Sequence, residues 1–187
     1  GVPLVFEGGW PILVIGLASL LMGYCYTGGP FPLAYIGLGD FFVLIFFGWI
    51  AVGGTYFLMA GTWNLGAFIA GTQVGLLAML LIAVNNLRDQ RLDASVGKKT
   101  MAVRLGRFSH WEITAIVLTT FALSIFWFYS GMWKAALYPF IVFPFAMQLD
   151  RHIKTTAAGP AYNVYLARAA KIQLGFGALI SLGFLWS

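Results

Sequence analysis

The sequence predicts an all-α, polytopic transmembrane helical bundle, on three observations. First, 60% of its 187 residues are hydrophobic and only 9% are charged, against about 25% charged in a soluble domain. Eleven bases and six acids cannot cover a water-facing surface. Second, the apolar residues form continuous runs instead of the alternation of a membrane β-barrel. Third, glycine and proline fall between these runs. A soluble globule, a disordered chain and a disulfide scaffold are excluded; Cys25 has no partner in the chain.

Six stretches qualify as spans: about 10–26, 40–60, 64–84, 111–129, 133–149 and 165–186. Each holds roughly 17–22 residues, enough to cross a hydrocarbon core of about 30 Å. Val2 to Phe6 reads as the last turn of an earlier helix. Gly28-Gly29-Pro30-Phe31-Pro32 separates the first two spans, Gly131 the fourth and fifth, and Gly159-Pro160 precedes the sixth. Pro139 and Pro144 should kink the fifth. Seven Trp and eight Tyr suit interfacial belts, and 23 Gly suit close helix approach.

Six spans place the connections 27–39, 85–110 and 150–164 on one side. Ten of the eleven bases lie on or near that side, which the positive-inside rule assigns to the cytoplasm. Their place at a membrane surface gives no reason to expect a nucleic-acid partner.

The segment Asn85 to Thr100 carries two of the six acids and four bases. Asn85, Asp89 and Asp93 stand at i, i+4 and i+8, so a helix continuing past the membrane aligns their oxygens on one face. Such ligands suit Mg²⁺ completed by water and phosphate. Gly97 should end that helix, and Lys98, Lys99, Arg104 and Arg107 follow as partners for an anion. On spacing alone the segment also reads as a solvated loop with weak surface ion pairs. Lys98-Lys99-Thr100 is not a P-loop, because the upstream glycine and strand are absent.

The string NNLRDQRLDASVGKKTMAVRLG at 85–106 resembles the second aspartate-rich motif of the UbiA superfamily of intramembrane prenyltransferases. YTGGPFPLAYIGLGD at 26–40 and FFGWIAVGGTY at 46–56 agree with it, and the pattern is similar to the branch that prenylates 1,4-dihydroxy-2-naphthoate. The resemblance implies a nine-helix fold in which the six spans are helices four to nine. It covers a C-terminal two-thirds: a single domain over 1–187, N-terminally incomplete, without the first aspartate motif. The resemblance then implies a piece of a longer protein or one half of a split enzyme, inactive alone and completed by a separate N-terminal segment.

The resemblance implies Mg²⁺-dependent transfer of a polyprenyl group from its diphosphate to 1,4-dihydroxy-2-naphthoate with loss of CO₂, as in menaquinone or phylloquinone biosynthesis. The implied partners are a polyprenyl diphosphate, an aromatic acid acceptor and the lipid bilayer. Asp89 and Asp93, with Asn85, would hold the metal. Asn86, Arg88, Lys98, Lys99 and Arg104 would meet the diphosphate. Tyr26 matches a family position near the reacting carbon, where its ring would stabilise a carbocation; it also reads as a belt tyrosine, and Arg88 as a helix-end anchor. Asp40 reads as a contact to the aromatic substrate or, more safely, as a helix cap. Tyr56 reads as packing. Arg168 and Lys171 read as snorkelling bases or as carboxylate partners. His110 and His152 are isolated, and residues 150–154 read as a solvated turn. Other acceptors (4-hydroxybenzoate, homogentisate), or a non-catalytic transporter or scaffold half, remain alternatives.

Overall fold

One helix organises the molecule. In the computed structural model, which describes residues 1–28 and 32–187, α4 runs from Leu65 to Ser95. Its 31 residues extend about 46 Å, longer than a hydrocarbon core of about 30 Å. Its last turns therefore stand proud of the membrane and carry the polar 85–95 segment. Asn64 caps its start, the side-chain Oδ1 accepting from the Gly66 N–H at 2.6 Å. At its other end Gly97 takes φ +76°, which lets the chain turn back.

The remaining elements pack around α4. Helix α1 (Val2–Thr27) is one helix broken at Gly9, φ 65° and ψ −155°, with Pro11 just beyond. Val2 to Phe6 is thus the first arm of a kinked helix. The second apolar stretch begins as α2 (Gly39–Val43), widens into a π-helix (Leu44–Gly53) and ends as α3 (Gly54–Ala60). The π segment presses on α4 through glycines: a Cβ on Gly48 would lie 2.4 Å from the Gly71 carbonyl oxygen and 2.9 Å from the Gly75 Cα. Backbones can approach this closely only where both sides lack side chains. Trp49 locks the register, donating from Nε1 to Thr72 Oγ1 at 2.8 Å.

After α4 come the short α5 (Met101–Leu105), then α6 (His110–Ala122) and α7 (Ser124–Tyr129). The fifth stretch breaks where its prolines stand: α8 (Trp133–Leu137), a 3₁₀ segment over 138–142, then α9 (Phe143–Thr155) with Pro144 in its first turn. Five helical stretches among the described residues are long and apolar enough to cross a bilayer; this broken one is not among them. Helix α10 (Tyr162–Trp186) closes the bundle.

The core lies between α4, α6 and α10, with Leu77, Leu80, Ile113, Val117 and Phe176 fully buried. Buried among them is Gln73, whose amide donates to the Thr120 carbonyl at 2.9 Å and to Ser124 Oγ at 3.1 Å. Its carbonyl accepts from Trp127 Nε1 at 2.7 Å. With no water in the bilayer core, such a group persists only when satisfied internally.

The predicted shared side for the three connections is matched by contacts. The Lys99 N–H donates to the Tyr35 carbonyl at 2.8 Å, and Arg88 Nη1 donates to Asn163 Oδ1 at 2.8 Å. Residues 150–154 are not a solvated turn. Asp150 is buried in α9, accepting from Thr114 Oγ1 and Lys154 Nζ, both at 2.7 Å. Of the breaker Gly28–Pro32, Gly29, Pro30 and Phe31 lie outside the described residues.

Candidate active site

The site is built on one face of α4. At 100° per residue, Ile82, Asn85, Asn86, Asp89 and Asp93 fall within about a 100° sector. Going outward, this face is first apolar, then amide, then carboxylate.

At the apolar end lies a cavity of about 600 Å³, lined by Ser19, Met22, Gly23 and Tyr26 of α1, by Phe42, Val43, Phe46, Phe47 and Ala51, and by Ile82. Tyr26 is half-buried at the end of α1. A Cβ on Gly39 would lie 3.3 Å from the Tyr26 hydroxyl, so the first turn of α2 is packed against that ring. One turn beyond Ile82, Asn86 donates from Nδ2 to the two oxygens of Asp40, at 3.2 and 3.4 Å. Asp40 is only 1% exposed. It makes no capping bond, since Leu38 occupies the cap position. The cap reading is therefore replaced by a tie between α2 and α4.

At the outer end, Asp89 is gripped by its neighbour. Arg88 Nε lies 2.8 Å from Oδ1 and Nη2 2.6 Å from Oδ2, a two-pronged guanidinium–carboxylate pair. Asp93 takes Lys98 Nζ at 3.1 Å. That hydrogen bond pushes the Lys98 pKa up from its ordinary value, and its ammonium stands 5.0 Å from the centre of the Tyr35 ring. Asn85 is half-buried on the same face.

Arg104 is used differently. Its Nε donates to the Lys99 carbonyl at 3.0 Å and its Nη2 to the Ile36 carbonyl at 2.6 Å. It thereby clasps the loop after α1 to the loop after α4. Gly37 sits inside this clasp at φ +79°, and a Cβ there would meet the Lys99 carbonyl at 2.3 Å. Lys99 itself is exposed. Gln90 holds the same region from below, donating to the Ala102 and Gly106 carbonyls at 2.5 and 3.0 Å. Tyr56 borders a different cavity, far along the bundle with Trp127 and Phe184. Arg168 Nη1 lies 2.7 Å from His152 Nδ1, so neither is isolated.

Sequence reasoning missed Glu112. It is 8% exposed, and both its carboxyl oxygens are buried without a hydrogen-bond partner among the described residues. Ser109-His110-Trp111-Glu112 looks like a capping box, but no such cap forms.

The donor set can be judged against a metal. Among the described residues, no three of His, Cys, Asp and Glu gather around one point. Two carboxylates one turn apart, with an amide oxygen beside them, suit a hard cation that draws its other ligands from water and phosphate. Both carboxylates already face cations, which shows that the site favours positive charge there.

The chain is 34% identical over 175 residues to a 1,4-dihydroxy-2-naphthoate octaprenyltransferase of Haemophilus influenzae, covering 91% of this chain and 56% of that protein. It is 33% identical to the protein of the same name in Escherichia coli, over 94% of this chain and 58% of the relative. A 2-carboxy-1,4-naphthoquinone phytyltransferase of Synechocystis is 26% identical over 95% of this chain and 59% of the relative. The chain thus spans somewhat over half the length of these relatives. No solved structure matches it. The model of the UbiA prenyltransferase family matches residues 1–161, and the chain, a helical membrane protein, belongs to that family.

Proposed function

We propose that this chain is the larger part of an aromatic prenyltransferase. It would move a polyprenyl group from its diphosphate to 1,4-dihydroxy-2-naphthoate, with decarboxylation, in menaquinone or phylloquinone biosynthesis. The observation that carries the reading is the single face of α4: an apolar cavity at Ile82, and Asp89 and Asp93 about 10 Å or more further out. An amphiphile with a long apolar tail and an anionic head matches that sequence of surfaces. The names of the relatives support the acceptor.

Asp89 and Asp93, with Asn85, would hold Mg²⁺, which would neutralise charge on the departing diphosphate. Lys98 and Lys99 stand behind them and Arg88 beside them, and their charge favours the same departure electrostatically. When the diphosphate takes its place, Arg88 can pass its grip from Asp89 to phosphate oxygens, since a guanidinium fits either partner. Tyr26 faces the cavity where the allylic carbon would lie, and its ring stabilises positive charge there. The apolar walls keep water from that cation. The motif end faces the cytoplasm, in accord with its bases.

The test is transfer of labelled prenyl diphosphate to the naphthoate in membranes. This chain is used alone and joined to the N-terminal region of a matched relative, which supplies the first aspartate motif. Mg²⁺-dependent transfer is expected in the joined form only. The product mass distinguishes 4-hydroxybenzoate or homogentisate as acceptor. A joined protein that transfers to no aromatic acceptor overturns the reading.

A further inference from the structure

The two substrates differ in what they ask of the protein: a diphosphate needs positive charge, and a hydroxylated arene offers hydrogen-bond donors. The site is divided in the same way. Arg88 and Lys98 pair with the outer carboxylates. By contrast, no base is within ion-pairing distance of Asp40 or Glu112 among the described residues.

These two inner carboxyls are under-supplied. A carboxylate offers about four lone-pair sites, yet Asp40, 99% buried, receives one side-chain amide, shared at 3.2 and 3.4 Å between its oxygens, besides its own backbone N–H. Glu112 receives no donor at all. Buried acceptors in native proteins are almost always satisfied, and an exception calls for an explanation. A hydroxyl donor of the acceptor would supply the missing bond, with the acceptor's own carboxylate turned away from these two carboxyls. Asp40 also adjoins the cavity. Phe42 and Val43, the next residues but one and two, line it, as does Tyr26, whose hydroxyl packs at Gly39.

We propose that Asp40, held by Asn86, accepts the hydrogen bond of a ring hydroxyl on the aromatic acceptor. This rests on the functional reading above and assigns the acceptor its half of the site. Asn86 then serves as a positioning residue for Asp40, not as a diphosphate contact. The tie between α2 and α4 fixes the hydroxyl relative to the cavity that takes the prenyl carbon.

The experiment uses the joined, active protein in membranes and reads the two substrates separately. Asp40→Asn is expected to raise the acceptor KM at least tenfold while the prenyl diphosphate KM stays within about twofold. In the unaltered protein, a methyl ether of the acceptor is expected to compete at least a hundredfold more weakly than the free hydroxyl compound, because a site built for a hydroxyl rejects its blocked form. An acceptor KM within twofold in Asp40→Asn overturns the inference, as does an equal rise in both KM values. A methyl ether that competes as well as the hydroxyl compound overturns it too, and this result stands even if Asp40→Asn fails to fold. A joined protein without any transfer removes the functional reading and this inference together; activity with an unchanged Asp40→Asn removes the inference alone.

Discussion

Helix α4 carries polar groups in two places, and they are treated in opposite ways. In its middle, Gln73 uses both amide hydrogens and its carbonyl on Thr120, Ser124 and Trp127. Nothing is left over for a ligand. At its end, Asp89 and Asp93 are held by Arg88 and Lys98, side chains that are themselves a quarter to a third exposed and free to change partner. Beside them Asp40 keeps lone pairs to spare and Glu112 has no donor among the described residues. A buried polar group with every bond made is part of the frame. A group whose bonds are missing, or made to movable partners, is where a substrate can compete.

The largest break in that comparison comes from removing the outer carboxylates. Asp89→Ala with Asp93→Ala is expected to lower prenyl transfer by about 10³-fold or more. Stability changes by only about 1 kcal/mol or less, because the freed Arg88 and Lys98 reach water. Radiolabel transfer and detergent melting curves check the two halves; full activity of the double variant ends the assignment of these residues. The next largest effect lies at the frame. Gly48→Leu drives a side chain into the Gly71 carbonyl and the Gly75 backbone, at a cost of about 3 kcal/mol or more. Loss of folded protein on size-exclusion chromatography is expected, whereas Gly177→Leu, where nothing lies within 4 Å, is tolerated. Gln73→Leu comes third. It leaves the Trp127 N–H buried without an acceptor, costing about 1–3 kcal/mol, and should lower the melting temperature while activity per folded molecule stays the same. A selective loss of activity would erase the distinction between the two ends of α4.

These two regions were not equally legible in the sequence. The spans were, because continuous apolar runs broken by Gly and Pro have few other readings, and Pro139 and Pro144 announced the break that splits the fifth. The spacing of Asn85, Asp89 and Asp93 aligned them on one face once α4 was found to run through Ser95. Gln73 attracted no notice, since one amide in a span signals nothing until its three partners on α6 and α7 are known. Glu112 drew no reading from the sequence, and Asp40 was left between a substrate contact and a helix cap. Both depend on which helix lies opposite, which residue order does not state. The π-helix at 44–53 was equally silent: its sequence is as apolar as any span, and the close approach at Gly48 that it contains is visible only in the fold.

The smallest expected effect sharpens the comparison most finely, at Arg104. Its spacing suggested a diphosphate contact, but its fork is spent on the Ile36 and Lys99 carbonyls. If it positions the loops, a lysine cannot replace it, because an ammonium lacks the planar fork that bonds two carbonyls at once. If it meets phosphate directly, a lysine should largely serve as a point charge. Arg104→Lys and Arg104→Gln are therefore expected to behave alike. Each should raise the prenyl diphosphate KM severalfold and cost about 1 kcal/mol. Each should also speed trypsin cleavage after Lys98 and Lys99, whose backbone the clasp restrains through the Tyr35 carbonyl. Restoration of the KM by lysine, with cleavage still fast, would return Arg104 to the diphosphate and leave the clasp to Gly37 and the backbone bond alone.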